Sequence, residues 1–441
     1  MTMFGLKEAE VATLVRAVAG EQLEREAIRE RFARASWTGI AEPGDSIAGL
    51  VIAALGAVDS LEGLVEQWSA RAWLEALRLV GVVDVAESVV EEALARWKLR
   101  VKSEPTLLAL RQAARYGARL LTPGTAGWPA GVDDLGPHAP IALWVRGTQV
   151  ALAALDNSIA LVGARAATGY GEHVAMEFSA GLVDRGFAIV SGAAYGVDGM
   201  AHRAAMASHG ITVAFLAGGV DHYYPSGHDA LLTRMVEVGA IISELPPGQP
   251  PTKWRFLQRN RLIAAASQAT VVIEAGWRSG SLNTAGHAAN LGRPVGAVPG
   301  PITSAASAGC HRLVRDYDAT LVTSVEDVVE LVEPRRLEQP PVPEALEGRV
   351  EQPRAAGTGV VETSRTTYLR PLSPEQTRLL DAMSYTAPRQ TQDIAARAGL
   401  SVAAVQSLLG ELELETLVSE RERGWIKVKP DDQNKPPEKL A

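Results

Sequence analysis

The residues best able to do chemistry lie in five loop motifs strung between short apolar runs: VGARAATGYG (162–171), SGAAYGVDGMAH (191–202), FLQRNRLI (256–263), EAGWRSGSLNTA (274–285) and VPGP (298–301). Glycine, serine, threonine and arginine collect where an apolar run hands over to a helical one. That is where an open α/β sheet binds phosphate, because the first N–H groups of a helix are unpaired and small side chains let an anion approach. In the first motif Gly163, Thr168 and Gly171 permit that approach, and Arg165 adds a permanent, fork-shaped charge suited to phosphate or a base edge. In the second, Ser191 offers a donor while Gly192 and Gly196 allow backbone nests. Ser279, Gly280, Ser281 and Thr284 make a third cradle at a helix start. The glycine spacing is not that of a dinucleotide fingerprint and the GxxxxGK[ST] phosphate loop is missing, so no NAD, ATP or other cofactor is expected.

The densest basic run of this region is Lys253, Arg255, Arg259 and Arg261, interleaved with Trp254 and Phe256 and including Asn260. On a helix Arg255 and Arg259 share a face. Cations that track a phosphate backbone beside rings that stack bases suit single-stranded nucleic acid. The plainer reading is a solvated helix face; against the acidic background of the chain, function is favoured. Glu274 is placed either to bind a ribose or base amine or to orient its loop. Asp198 and His202, four apart, share a helical face but have no evident third ligand. A capping aspartate and a packed histidine are therefore expected rather than a metal site. Asp221, His222 and His228, around Tyr224-Pro225, read as a turn.

These loops need a scaffold. Apolar strands are predicted at 141–145, 159–162, 188–190, 212–216, 240–243, 270–273, 295–298 and 320–322, with amphipathic helical segments between most of them. Such alternation means βαβ units and a mostly parallel, doubly wound sheet. Residues 5–120 read as helical, with Asp45 or Ser46 as an N-cap. Pro334, Pro340, Pro341, Pro343 and Pro353 mark a linker at 334–370 without the composition for a core. Helical segments at 374–383, 391–398 and 402–414, then a hairpin at 417–428, predict a winged helix within 371–430. A disordered tail is expected at 431–441. The division is therefore an N-terminal helical domain (1–110), an α/β core (111–333), the linker, the winged helix and the tail.

With 441 residues, 47% hydrophobic and 21% charged, the chain is globular and long enough for several domains. Its formal net charge of -8 argues against coating duplex DNA through bulk charge, though not against a local basic groove. A single cysteine, Cys310, excludes an internal disulfide or a cysteine zinc cluster. The N-terminus meets charge too early for a secretory signal, and the longest apolar stretch, Ile47 to Val58, is too short for a bilayer. A cytoplasmic protein with no membrane contact is expected.

At its motifs the chain resembles the DprA/Smf family, the bacterial DNA-processing proteins of natural transformation. The resemblance rests on Val162-Gly163-Ala164-Arg165 with Thr168 to Gly171, Ser191 to Asp198 with Ala201-His202, and Tyr224-Pro225. It continues through Ser243 to Gly248, Phe256 to Ile263, Glu274-Ala275, Ser279 to Leu282 with Thr284-Ala285, and Val298-Pro299-Gly300. Departures stand at Gly309-Cys310-His311, where the family pattern has Gly-Thr-Asn, at Val197, which replaces Ile, and at Asn283, which replaces an apolar residue. The resemblance implies an extended Rossmann-like core and an N-terminal domain of the SAM or helix-hairpin-helix kind. It also implies single-stranded DNA at the carboxyl ends of the strands, homodimerisation through the core, and loading of the RecA recombinase. Arg165, Arg259 and Arg261 would then hold phosphates, and Ser191, Gly192, Ser279, Gly280 and Ser281 would supply donors.

The third helix of the winged domain, VAAVQSLLGELEL, has no lysine or arginine and carries Glu411 and Glu413. A helix that reads duplex DNA should be basic, so weak or absent duplex binding and an interaction role are expected. The competing class is an enzyme of the Rossmann-like phosphoribohydrolase kind. Its PGG-x-GT-x-x-E loop is poorly matched by Pro299-Gly300-Pro301-Ile302-Thr303, and fold alone does not confer function. A non-catalytic binding protein is the leading expectation.

Overall fold

Short runs of β-branched and apolar residues build the central sheet of the protein, described here from a computed structural model covering residues 4–20, 22–337, 372–421 and 423–429. Its strands are β1 (Arg119–Leu121), β2 (Leu143–Gly147), β3 (Ser158–Val162), β4 (Ala188–Ser191), β5 (Thr212–Phe215), β6 (Ala240–Ser243), β7 (Ala269–Val272), β8 (Val295–Ala297) and β9 (Thr320–Leu321). They form one sheet in the order β1-β2-β6-β5-β4-β3-β7-β8-β9. From β6 to β9 neighbouring strands are parallel, while β1 and β2 add an antiparallel edge. Strands β3 to β7 are buried throughout, as a sheet covered on both faces requires. The chain winds outward from β3 to β6, then returns to pair β7 against the other side of β3. That reversal opens a crevice at the carboxyl ends of β3 and β7.

The N-terminal helices are α1 (Glu8–Ala19), α2 (Arg25–Ile40), α3 (Ser46–Leu55), α4 (Ala57–Val65), α5 (Ala70–Leu79), α6 (Glu87–Trp97) and α7 (Ser103–Arg115). Asp45 is the N-cap of α3, accepting from the Ile47 and Ala48 amides at 3.2 Å each and from the Trp97 indole at 3.0 Å. One carboxylate thus starts a helix and ties it to α6. Helices α3 to α6 close over Trp37, Trp73 and Trp97. By contrast, Val11, Val15, Phe32 and Leu110 of α1, α2 and α7 pack with Trp144, Leu216 and Ile241, so these helices share a core with one face of the sheet.

The sheet is covered by α8 (Gln149–Ala153), α9 (Gly169–Asp184), α10 (Val197–Ala207), α11 (Asp229–Val238), α12 (Lys253–Ala266), α13 (Ser281–Asn290), α14 (Ala308–Asp316) and α15 (Val325–Leu337). Helix α15 runs through Pro334, so the linker expected from residue 334 starts later. The remainder of that linker, and the tail at 431–441, lie outside the described residues. The winged helix comprises α16 (Pro374–Ala382), α17 (Thr391–Ala398), α18 (Val402–Leu414) and the hairpin β10 (Val418–Arg421) with β11 (Gly424–Lys427). Ser373 and Gln376 form a capping box at the start of α16, with Pro374 in its first turn. Among the described residues no single helix is long and apolar enough to cross a membrane; α3 and α4 qualify only together and are bent by 112° at their junction.

Candidate nucleic-acid interface

A crevice of about 1040 Å³ opens at the carboxyl ends of β3 and β7. The loop after β3 brings Gly163 and Arg165, the loop after β7 brings Arg278, Ser279 and Gly280, and α12 lies along it with Lys253, Phe256, Arg259 and Asn260. Ser281 and Thr284 of α13 complete that side, and Asp381 and Lys427 reach in from the winged helix. Five cationic side chains (Arg165, Lys253, Arg259, Arg278, Lys427) face two carboxylates (Asp198, Asp381). The acidic chain therefore keeps a locally positive cleft, and local potential is what steers an anion.

Arg165 is exposed and makes no hydrogen bond or ion pair among the described residues; its guanidinium lies 4.9 Å from the Phe256 ring centre. The Phe256 ring in turn lies 5.4 Å from that of Tyr224. A cation and two rings at one mouth provide charge for a phosphate and flat surfaces for bases. Deeper in, Ser279 and Ser281 share a hydrogen bond of 2.8 Å, and Asn260 donates to the Gly280 carbonyl at 3.3 Å, steadying that loop.

Arg259 is only 5% exposed. It donates to the Gly192 carbonyl at 2.7 Å and to the Phe215 carbonyl, joining the ends of β4 and β5 to α12. Burial pulls its pKa down to about 10, with nearby Asp198 opposing the shift. A Cβ at position 192 would fall 2.4 Å from the Arg259 guanidinium, so Gly192 makes room for that arginine rather than for a ligand.

Several expected contact residues are turned elsewhere. Arg255 is buried against Glu42, and Arg261 is buried against Glu244 and the His138 carbonyl. Residue 261, two positions on from 259, points to another side of the helix, while Arg255, four before 259, is drawn out of the crevice by Glu42. Ser191 is fully buried and donates to the Leu161 carbonyl at 2.6 Å. Thr168 caps α9 and donates to Glu274 at 2.7 Å, while its amide donates to the same carboxylate at 2.8 Å. Glu274 therefore orients the first loop. A Cβ at Gly171 would meet that carboxylate, and one at Gly196 would fall 2.2 Å from the Ala164 carbonyl, so both glycines serve loop packing. Arg255, Arg261, Thr168, Gly171, Ser191, Gly192 and Gly196 do not line the crevice. Phe256, expected as a stacking ring within the basic run, does, and so do Tyr224, Arg278 and Lys427, which were not expected as contacts. Arg278 directly precedes the Ser279 to Leu282 run, Tyr224 belongs to the Tyr224-Pro225 motif and Lys427 to the basic residues of the hairpin, so each lay near a local signal without being chosen as a contact.

Asp198 does not cap α10: its carboxylate accepts from the Gly192 and Ala194 amides at 3.1 and 3.2 Å and organises the second loop. Burial raises its pKa. His202 bonds Thr212 through Nδ1 at 2.7 Å, and the Thr212 hydroxyl donates onward to the Ile189 carbonyl. The imidazole is thus neutral with its proton on Nδ1. Burial, followed by the charges of His228 and Arg259, lowers its pKa to about 3 from 6.5. The unfolded chain takes up this proton below pH 6.5 and the folded chain does not until about pH 3. Stability is therefore full above pH 6.5 and falls as pH drops, by roughly 2 kcal/mol at pH 5. Chemical denaturation of the wild type and of His202→Asn across this range should show a shallower slope in the variant. No group of three or more metal-ligating side chains occurs among the described residues.

The family model described as DNA recombination-mediator protein A matches residues 119–333, and the DprA winged helix domain matches 364–422. A DprA-type DNA processing protein of Mycobacterium tuberculosis is 44% identical over 321 residues, covering 70% of this chain and 77% of the relative. The chain belongs to the DprA/Smf family. The Escherichia coli protein Smf is 42% identical over 192 residues, covering 43% of this chain and 50% of its own length. The solved structure of Streptococcus pneumoniae DprA superposes with a TM-score of 0.53 at 26% identity, covering 68% of this chain and 96% of that one.

The departure from the family pattern at 309–311 falls where α14 meets the loop after β7. The Gly309 amide donates to the Ala275 carbonyl at 2.7 Å, and a Cβ there would strike the Gly276 carbonyl at 2.6 Å. Cys310 is buried, and its thiol pKa is pushed up to about 12 by that burial. His311 bonds the Gly300 carbonyl at 3.0 Å, joining the VPGP loop to α14.

Proposed function

We propose that this protein binds single-stranded DNA in the crevice, without catalysis, and loads RecA onto the strand during DNA uptake or recombination. The observation that carries the reading is the exposed, unpaired Arg165 over Phe256 at the mouth of a cleft with five cations and two carboxylates. Gly163, Lys253, Arg259, Asn260, Ser279, Gly280, Ser281 and Thr284 form its wall and floor. Family membership supports the recombination role, a homodimer built through the sheet domain, and a cytoplasmic setting. The phosphoribohydrolase-like alternative would have to use Asp198 or Glu274 as its acid. Both already accept backbone amides that hold loops in place.

Fluorescence anisotropy of labelled oligo-dT, single- against double-stranded, across a salt series tests the binding. Arg165→Ala should weaken single-strand binding by about tenfold and reduce the salt slope by about 0.7, the share of one phosphate contact on a single strand. Its melting temperature should stay unchanged. Absence of single-strand binding by the wild type at low salt would sink the reading. Faster RecA filament assembly on a single strand in the presence of the protein would support loading, and light scattering of the free protein would report the dimer.

A further inference from the structure

The winged helix is seated on the rim of the crevice. The Asp381 carboxylate accepts a hydrogen bond from the Trp254 amide at 3.0 Å. Trp254 is the second residue of α12, and the cap of that helix, Thr252, satisfies the Arg255 amide instead. Asp381 therefore takes a donor at a helix N-terminus, the place where an anion is favoured. The seat has three other points of attachment. The Arg378 guanidinium lies 5.7 Å from the Trp254 ring centre. Arg100 of the N-terminal domain donates to the Ala396 and Arg397 carbonyls at 2.6 and 3.1 Å. Leu99 packs against the winged-helix core.

A second cavity, of about 580 Å³, lies on the far side of this contact. Arg100, Lys102, Arg255, Arg378, Arg389 and Arg397 face it, against Glu42, Asp381 and Asp393. Pro251, Thr252 and Asp381 line both cavities. Asp381 thus stands between two positively biased spaces, with its carboxylate on a backbone donor that a phosphate oxygen would equally accept.

We propose that the winged helix is a clasp on the single-strand site: Asp381 occupies a phosphate seat at the start of α12, and a bound strand displaces it and continues into the second cavity. The proposal rests on the single-strand reading of the crevice. In the closed state Lys427 contributes a cation to the crevice wall while Asp381 blocks the way onward. Removing the carboxylate takes away a competitor for the strand and the bond that holds the clasp shut, so apparent affinity must rise.

The test uses the full chain and oligo-dT long enough to span both cavities. Asp381→Ala should bind roughly tenfold tighter than wild type, and Asp381→Asn, which keeps an acceptor but loses the charge, should fall between them. Hydrogen exchange of the 374–382 peptide should increase when wild-type protein binds oligo-dT, as the clasp lifts. Affinities of both variants within twofold of wild type, or weaker, with Arg165→Ala still defective, would overturn the clasp and leave the crevice standing. No binding by the wild type or either variant would overturn the clasp and the single-strand reading together.

Discussion

Arg259→Ala will lower the melting temperature of the sheet domain by about 10 °C and abolish single-strand binding at the same time, whereas Arg165→Ala will weaken binding about tenfold and leave the melting temperature unchanged. The difference follows from burial. Removing the 5%-exposed Arg259 side chain strips the Gly192 and Phe215 carbonyls of their donor and leaves buried Asp198 without the cation that favours its charged form. Deleting one partner of a buried charged network costs about 3–5 kcal/mol, and in a domain of this size each kcal/mol is worth about 2–4 °C. Because Gly192 sits in the second loop, the wall of the crevice loosens together with the fold. Arg259→Lys should recover little, since one ammonium cannot reach two carbonyls in the fixed geometry of a guanidinium. Calorimetry beside the anisotropy series checks both readouts. A fully stable Arg259→Ala protein that merely binds DNA poorly would assign the residue to the ligand instead.

Glu42→Ala should be similarly damaging, at about 3–5 kcal/mol, although Glu42 lies far outside the loop motifs. Its carboxylate, 9% exposed, accepts from Arg100 at 2.6 Å and from Arg255 at 3.0 and 3.3 Å. Burial alone would raise its pKa, but the guanidiniums of Arg255, Arg100 and Arg378 overcome it and hold the group well below the usual carboxylate range. The depressed pKa means that this stabilisation is present above the ordinary value of 4.5 and is lost as pH falls below it. Removing the carboxylate leaves the buried Arg255 and the partly buried Arg100 without their anion and frees Arg100 from the position in which it holds the winged helix. Denaturant titration of Glu42→Ala and Glu42→Gln measures the loss. A change under about 1 kcal/mol would mean that the arginines are solvated independently.

Much of the site is local in origin and therefore legible in one dimension. Short apolar runs alternating with amphipathic helical segments announced the parallel strands, the helix start at 45–46 announced a cap that the structure settles as Asp45, and Gly163 with Arg165 announced the loop after β3. Two edge features were not announced. Strand β1 is three residues long and pairs antiparallel with β2, too short for a periodic signal. Helix α15 continues past its expected end at Pro334.

The basic run on α12 shows where local reasoning stops. Sequence by itself determined that cations and rings would crowd one helix beside glycine-rich loops at the carboxyl edge of a parallel sheet, because those choices follow from backbone period, helix-start chemistry and residue type. Only the tertiary structure decided which cation does what. Arg255 meets Glu42, Arg261 meets Glu244, Arg259 meets two strand-end carbonyls, and Lys253 remains exposed in the crevice that Arg165 also lines. The same holds for Asp381, an ordinary surface acid in its own helix that becomes a lock through the Trp254 amide. The free energy of a buried charge is set by the partner that reaches it from another element, here 17 to 213 residues away along the chain, and no spacing rule on one element contains that distance.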